Sequence, residues 1–220
     1  MNVLAWIEAY SAELEALGKH PPPAPRWTQD WFPRLDAAAA YAIVRSTRPK
    51  RLVEVGSGHS TRFMARAVAD GGLATRITAI DPAPRASLKG LSISFIAEPV
   101  QRVPASVFNA LEAGDILFID SSHQLRPGSD VEHLMRAIIP RLKSGVRLHF
   151  HDIFLPDDYP AEWAWRRYNE HDAVRALLGE GFVLEFSSHQ TLKAGPLSGV
   201  LARLPLMPGA LESSFWLRKP

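Results

Sequence analysis

The sequence contains no cysteine, and this absence removes several classes of chemistry. Disulfide bonds, zinc sites built on thiolates and cysteine nucleophiles are all excluded. Neither sign of charge dominates, because 25 basic and 23 acidic residues leave a formal net charge of +2. The charges are interspersed, and no run of lysine or arginine suggests a nucleic-acid-binding tail. We therefore expect no nucleic-acid partner.

Long apolar stretches are also missing, so we expect no membrane-spanning segment and no membrane partner. The N-terminal residues lack a basic region, and Glu8 interrupts their short apolar run, which argues against a signal peptide. These features, together with the absence of cysteine, favour a cytoplasmic location. At 220 residues, of which 46% are hydrophobic, the chain is most simply one domain with a large core.

Apolar residues at helical spacing predict a helical segment ahead of the first strand. The spacing predicts helices over residues 2–17 and 34–46, and a stiff proline-rich connector over 21–25 separates them. We interpret residues 1–46 as an N-terminal helical extension that serves as a cap or a dimer contact. Residues 47–220 then form the main domain, and a homodimer is an expectation drawn from the extension.

In the main domain, short apolar runs alternate with helical segments, which predicts a mostly parallel sheet with helices on both faces. The predicted strands are 51–56, 76–81, 92–97, 115–120, 146–152, 182–186 and 214–218. The predicted helices are 60–70, 104–111, 129–141 and 161–178. No helix is predicted between the last two strands, which permits those two strands to pair antiparallel.

The main domain is organised around the stretch Arg51–Thr61, which we interpret as a buried strand, a glycine turn and a helix N-terminus. Gly56 and Gly58 can adopt backbone angles closed to other residues, and they let a ligand lie against the main chain. Ser60 or Thr61 can cap the helix, whose first N–H groups are free to bind an anionic ligand. The stretch therefore predicts a ligand site at this end of the strand.

Two classes of ligand use such a turn, and Glu54 helps to separate them. Dinucleotide-binding proteins carry a third glycine where this sequence has Thr61. A carboxylate in the strand would repel a pyrophosphate, but it suits S-adenosylmethionine (SAM), which carries an ammonium and a sulfonium. Asp81, at the end of the next predicted strand, can accept hydrogen bonds from the ribose hydroxyls of NAD or of SAM. NAD therefore stays open as an alternative.

Further polar side chains follow the fourth and fifth predicted strands: Asp120 and His123 on one, His151 and Asp152 on the other. Because parallel strands end at the same edge of a sheet, these side chains are expected to face one crevice. His151 is the first candidate for a general base, oriented by Asp152 or Asp120, and His123 is the second. The alternative, not favoured, is a divalent metal on Asp120 and Asp152. His151 beside them departs from the all-oxygen set that magnesium prefers.

Several motifs occur in an order that resembles one protein family. They are the glycine turn and the segments Phe118–His123, His149–Pro160, Asn169–Glu170 and Ser214–Arg218. Together they resemble a bacterial group of class I SAM-dependent methyltransferases, the methyltransferase family 24 type. The resemblance implies an α/β, Rossmann-like fold with a seven-stranded, mostly parallel sheet whose last strand is antiparallel. It also implies SAM as methyl donor, S-adenosylhomocysteine as product and a small-molecule acceptor.

The predicted function is transfer of a methyl group from SAM to a small molecule, with oxygen as the expected acceptor atom. The predicted cofactor-binding residues are Glu54, Gly56, Ser57, Gly58, Ser60, Thr61, Asp81 and Asp120. The predicted catalytic residues are His151, Asp152 and His123. Two rival functions stay open, a non-catalytic SAM-binding protein and an NAD-dependent oxidoreductase.

The segment after the fifth predicted strand is expected to form the acceptor wall. Tyr159 and Trp163 are candidates for stacking on a ring or a sugar. Arg166 or Arg167 is a candidate for holding an acid, although such arginine pairs are usually solvated and aromatic residues on helices usually belong to the core.

Overall fold

The computed structural model of this chain describes residues 2–220, which form a seven-stranded sheet covered by helices on both faces. The strands are β1 (Arg51–Val55), β2 (Arg76–Ile80), β3 (Ser94–Ile96), β4 (Ile116–Ile119), β5 (Arg147–Phe150), β6 (Val183–Ser187) and β7 (Phe215–Arg218). Their order across the sheet is β3-β2-β1-β4-β5-β7-β6. Strand β7 runs antiparallel to both of its neighbours, and the other pairs are parallel. The predicted fold class is therefore confirmed.

The helices surround this sheet. The α-helices are α1 (Val3–Ala9), α2 (Ser11–Ala16), α3 (Arg34–Thr47), α4 (His59–Asp70), α5 (Ser106–Asn109), α6 (Asp130–His133), α7 (Glu170–Gly179), α8 (Ser188–Ala194) and α9 (Val200–Arg203). Short 3₁₀ helices occupy Val100–Arg102, Ile139–Arg141 and Ala161–Arg166, and Leu134–Ile138 is a π-helix. Within residues 2–220, every helix is too short or too polar to cross a membrane.

The central strands β1 and β4 are buried because helices cover both of their faces. Leu52 and Phe118 lie in a core shared with α3 and α4, whereas Val53 and Leu117 lie in a second core on the opposite face. This alternation is the two-residue period of a strand that is covered on both sides. The carboxyl ends of β1, β2, β4 and β5 consequently open at one edge of the sheet.

The N-terminal helices pack directly on this sheet. Ile7 of α1 and Leu14 of α2 belong to the same core as Leu52 of β1, and α3 packs along α4. Helix α3 ends at Thr47, close to the predicted boundary. The division into an extension over 1–46 and a main domain stays a prediction.

The single helix predicted over residues 161–178 is wrong, because the chain breaks between a 3₁₀ segment and α7. Arg167 ends the 3₁₀ segment with a left-handed backbone (φ 56°). The Asn169 side chain then accepts from the Leu125 N–H at 2.6 Å and donates to the Leu125 carbonyl at 3.0 Å. This tertiary contact ties the break to the loop after β4, and a helical periodicity cannot reveal it.

The interval between the last two strands also differs from the prediction, because α8 and α9 lie there. Ser187 caps α8 by accepting a hydrogen bond from the Gln190 N–H at 3.2 Å, which is an ordinary N-cap signal. The antiparallel pairing of β6 and β7 is nevertheless confirmed, since β7 inserts between β5 and β6. Pro140 ends the helix predicted over 129–141 early, as a 3₁₀ turn.

Candidate active site

A cavity of about 730 Å³ opens across the carboxyl ends of β1, β2, β4 and β5. Most of the predicted site residues line it, namely Gly56, Ser57, Gly58, Ser60, Asp81, Asp120, His151, Asp152 and Trp163. Glu54, Thr61, His123 and Tyr159 lie behind its wall instead. The sheet edge therefore brings the predicted cofactor and catalytic residues together, as the strand ends suggested.

The glycine turn after β1 depends on Gly56 far more than on Gly58. Gly56 has a φ of +83°, and a Cβ atom there would lie 1.7 Å from the backbone oxygen of Asp120. Gly58 is extended (φ 163°), and a Cβ atom there would meet its nearest atoms at 3.8 Å. Only Gly56 requires the absence of a side chain, because β4 presses against the turn at that point.

Glu54 stabilises the turn from behind instead of facing the cavity. It is fully buried, and its two oxygens accept hydrogen bonds from the Ser60 and Thr61 hydroxyls, each at 2.6 Å. Burial raises the pKa of Glu54 to about 8, against the two hydroxyl donors, which lower it. Helix α4 begins at His59 with Gly58 as its N-cap, and the Thr61 hydroxyl accepts from the Gly58 N–H at 2.9 Å, so Thr61 caps the helix from its third position.

Asp81 is held at the cavity wall by the glycine turn. One carboxylate oxygen accepts from the Ser57 N–H at 2.7 Å and from the Ser57 hydroxyl at 3.1 Å. The other oxygen accepts from the Ala83 N–H at 2.7 Å. These contacts fix the carboxylate beside the turn, at the place where a ribose-binding acid was predicted.

An acid–histidine cluster lies where β4 and β5 end, and we use this name for Asp36, Asp120, His123, His151, Asp152 and Glu170. His151 is its centre. The His151 Nε2 atom is 3.1 Å from a carboxylate oxygen of Asp36, and Nδ1 is 3.4 Å from Asp152 and 3.6 Å from Asp120. Burial by itself would lower the pKa of His151, but Asp152, Asp120 and Asp36 outweigh it and raise this pKa well above the usual range.

His123 occupies the other side of the same carboxylates. Its Nδ1 atom is 3.0 Å from Glu170, and its Nε2 atom is 3.3 Å from Asp120 and 3.6 Å from Asp152. These carboxylates outweigh burial and raise the pKa of His123 well above its usual range. Burial also acts against ionisation of Asp120, but His151 and His123 hold the pKa of Asp120 well below its usual range. The two imidazoles and Asp120 therefore stabilise one another as ions.

Sequence analysis predicted neither Asp36 nor Glu170 as a site residue, and of these two Asp36 is the one that contacts His151. Asp36 lies on α3, is fully buried, and accepts from the Ser213 and Ser214 N–H groups, each at 2.9 Å. The signal was available, because a single acid interrupts the apolar run from Leu35 to Ala40. A charged residue on the buried face of a helix is rarely left without a partner.

Backbone strain is concentrated at this cluster. His123 has a φ of 57° and Asp152 has a φ of 55°, and both are non-glycine residues in the left-handed region. Each such conformation costs on the order of 1–3 kcal/mol and persists only where the surroundings enforce it. The Ser213 hydroxyl donates to Asp152 at 3.1 Å and helps to hold that strained residue in place.

A divalent metal on Asp120 and Asp152 is the alternative to a general base, and it stays an untested prediction. Within residues 2–220, no group of three or more histidine, cysteine or acidic side chains has an arrangement that could hold a metal ion. Both carboxylates instead face ring nitrogens of His123 and His151 at 3.3–3.6 Å. A metal would have to replace the protons that these rings carry, so metal ligation stays an alternative prediction.

The predicted acceptor wall is divided between the cavity and the layer behind it. Trp163 lines the cavity together with Arg166, whereas the Tyr159 ring stacks on His171 with 3.6 Å between centroids. The Tyr159 hydroxyl is buried and has no hydrogen-bond partner among residues 2–220. Trp31, from the segment before α3, also lines the cavity and carries Arg85 over its ring at 4.3 Å.

Comparison with known proteins places part of the chain beside one family. Residues 53–153, which carry the glycine turn, Asp81 and both polar strand ends, match the methyltransferase domain of family 24. The match spans 101 of the 220 residues, and it confirms the predicted resemblance to class I SAM-dependent methyltransferases. No curated protein sequence matches this chain.

Three solved structures share the fold of this chain. The SAH-bound methyltransferase PaMTH1 of Podospora anserina is 14% identical with a TM-score of 0.53, and the match covers 100% of this chain and 88% of that one. A protein of Klebsiella pneumoniae, provisionally assigned as an O-methyltransferase, is 14% identical with a TM-score of 0.52, over 100% and 90% of the two chains. A mutein of the Thermus thermophilus branched-chain polyamine synthase is 16% identical with a TM-score of 0.51, over 98% and 64%.

Proposed function

We propose that this protein transfers the methyl group of SAM to an oxygen atom of a small-molecule acceptor. One observation carries the proposal: a single cavity joins the glycine turn and Asp81 on one side to the acid–histidine cluster on the other. A protein that only binds SAM has no need of buried ionised side chains held against strained backbone beside the ligand. O-methyl transfer also agrees with the assignment of the Klebsiella pneumoniae protein.

The cavity fits SAM in size and in polar groups. Two of its lining residues, His59 and Ser121, have buried polar atoms with no hydrogen-bond partner in the described part of the chain, and a bound ligand can satisfy them. In our proposal, Asp81 accepts from the ribose hydroxyls and Asp120 faces the amino group. The close approach of Gly56 to β4 keeps the turn open for the ligand. Bound SAM supplies an electrophilic methyl group on a sulfonium.

The chain's own contribution is to orient the acceptor oxygen and to remove its proton. We propose that the His151 Nε2 atom keeps its proton and donates it in a hydrogen bond to Asp36. Nδ1 is then the atom that accepts the proton of the acceptor hydroxyl. The pKa of His151 falls when a cation shares the cavity, because like charges disfavour the imidazolium. The new C–O bond then forms as the S–CH₃ bond breaks, and the proton remains on Nδ1. Asp152 and His123 position His151 and balance its charge.

Binding of S-adenosylhomocysteine tests the cofactor half of the proposal. We expect the purified protein to bind S-adenosylhomocysteine and not NAD in calorimetric titrations, run with and without magnesium. Asp81→Ala should weaken S-adenosylhomocysteine binding by about tenfold or more, because hydrogen bonds to a charged acceptor are lost. Asp172→Ala, which removes an exposed carboxylate that does not line the cavity, is the control. Unchanged affinity in Asp81→Ala would remove Asp81 from the ribose site.

The role of Asp36 can be measured without knowing the acceptor. Asp36→Asn removes a negative charge 3.1 Å from His151 Nε2, so the raised pKa of His151 should fall. The His151 imidazole would then lose its proton at a lower pH than in the unmodified protein. The readout is the pH titration of histidine ring resonances by NMR. Asp157→Asn at the surface His189 pair is the control, and an unmoved His151 titration would contradict the assignment.

The oligomeric state and the cellular location of the protein are also proposals. We propose a homodimer formed through the N-terminal helices, where Leu4 of α1 is 43% exposed. Light scattering of the purified protein measures this directly. We also propose a cytoplasmic location, for which the composition is the only support.

A further inference from the structure

The two halves of the cavity have different linings. The half at β1 and β2 carries the glycine turn and Asp81, and the proposed function places SAM there. The half beyond β4 is lined by His151, Asp152, Trp163 and Arg166. The acceptor therefore has to occupy this second half, where its hydroxyl can reach His151.

Arg166 is one of three arginines that line the cavity, with Arg85 and Arg126, and aromatic rings surround its guanidinium. The guanidinium carbon lies 4.2 Å from the centroid of Trp163, 5.2 Å from Trp165 and 5.5 Å from Tyr168. One terminal nitrogen donates to the Tyr168 hydroxyl at 3.1 Å. The side chain is thus oriented by stacking and by one neutral hydrogen bond.

The charge of Arg166 has no partner in the part of the chain that the structure describes. Arg34, Arg147 and Arg218 each pair with a carboxylate at about 3 Å, whereas Arg166 joins no salt bridge within residues 2–220. Its Nε atom is buried and has no hydrogen-bond partner in that range. A buried donor on a charged group is costly unless something satisfies it. The missing partner is therefore expected from outside the chain.

The segment that carries Arg166 is fixed to the catalytic side of the sheet. The Gln124 side-chain amide donates to the Arg166 carbonyl at 3.0 Å, and Gln124 follows His123 in the loop after β4. The neighbouring contact of Asn169 with Leu125 holds the same segment. Arg166 is consequently presented at a fixed distance from the acid–histidine cluster.

We propose that Arg166 binds an anionic group of the methyl acceptor. The acceptor is then a hydroxylated small molecule that carries a carboxylate or another oxyanion on a planar body, which packs on Trp163. Its anionic end lies on Arg166 and its hydroxyl points to His151. Guanidinium is suited to this because it pairs with planar oxyanions through two parallel hydrogen bonds. This inference rests on the proposed function for the position of the hydroxyl, but not for the anion site itself.

Matched pairs of ligands separate the anion site from the rest of the pocket. The probes are 4-hydroxybenzoate and phenyl phosphate as anions, and 4-hydroxybenzamide as the neutral partner of the same shape. They are titrated into the full-length protein, with and without saturating S-adenosylhomocysteine, by calorimetry and tryptophan fluorescence. We expect at least one anion to bind about tenfold or more tightly than the amide, because a charge-assisted contact is gained.

Variants assign the preference to one residue. Arg166→Gln should abolish the preference for the anion, and Arg166→Lys should retain part of it. Arg167→Gln, which changes the exposed neighbour outside the cavity, should leave it intact. Thermal unfolding of each variant checks that the fold is preserved.

The outcomes distinguish this inference from the proposed function. Equal binding of anions and amide, no binding of either anion, or an anion preference that survives in Arg166→Gln would each overturn the anion site. Failure of S-adenosylhomocysteine to bind overturns the proposed function instead. In that case the titrations without S-adenosylhomocysteine still decide whether Arg166 binds anions.

Discussion

His151→Gln should lower the rate of methyl transfer by about 10²–10⁴-fold, which is the usual contribution of a positioned general base. The glutamine can still donate to Asp36 but has no basic nitrogen, so the cluster keeps its packing and loses its proton acceptor. Affinity for S-adenosylhomocysteine should change little, because His151 lies on the acceptor side of the cavity. The measurement is release of S-adenosylhomocysteine with the best acceptor from a panel of hydroxylated small molecules.

A matched control for this variant is available elsewhere in the chain. His189 also pairs with a carboxylate, Asp157 at 2.7 Å, but it does not line the cavity. His189→Gln should therefore leave the rate within about twofold, as is usual for surface substitutions. Full activity in His151→Gln would show that another group, or the solvent, takes the proton. A parallel loss of cofactor affinity would assign His151 to binding instead of catalysis.

Gly56→Ala should cause the largest loss of stability that we expect from a single methyl group in this protein. The new Cβ atom would lie 1.7 Å from the Asp120 backbone oxygen, so β1 and β4 would have to move apart. Overpacking and the positive φ together should cost about 3 kcal/mol or more. For a chain of this size, that corresponds to a fall in melting temperature of about 6–12 °C. Binding of S-adenosylhomocysteine should be lost with the turn.

Gly72→Ala separates the cost of the positive φ from the cost of the steric contact with Asp120. Gly72 also has a positive φ, 53°, but a Cβ atom there would meet nothing within 4 Å. This variant should cost only the backbone strain, about 1 kcal/mol, and should retain cofactor binding. Differential scanning calorimetry of both variants gives the comparison. If the two variants unfold at the same temperature, the contact between the glycine turn and Asp120 is not what holds this edge of the sheet.

Much of the candidate site could be predicted from the sequence because parallel strands end at one edge. Asp81, Asp120, His151 and Asp152 are far apart in the chain, yet each follows an apolar run that becomes a strand. The periodicity of those runs is a local property, so it survives without knowledge of the fold. The order of the motifs then indicated the family, and the family model confirms it over residues 53–153.

Other features depend on contacts between distant segments, and only the tertiary structure decided them. Asp36 meets His151 across 115 positions of the chain, and no local pattern connects a helix near the N-terminus to the end of β5. The break at Arg167 follows from the contact of Asn169 with Leu125. A periodic pattern reports which face of an element is apolar, but it does not report what that face touches.

The sequence by itself determined the order of the strands along the chain, the glycine turn and most of the acids and histidines that belong to the site. The tertiary structure decided their chemical states. Burial behind the turn raises the pKa of Glu54 to about 8, and three carboxylates around His151 raise the pKa of its imidazole against the effect of burial. A pKa depends on burial and on charges within a few ångströms. Those distances are set when α3, β4 and β5 pack together, and the linear order of residues does not contain them.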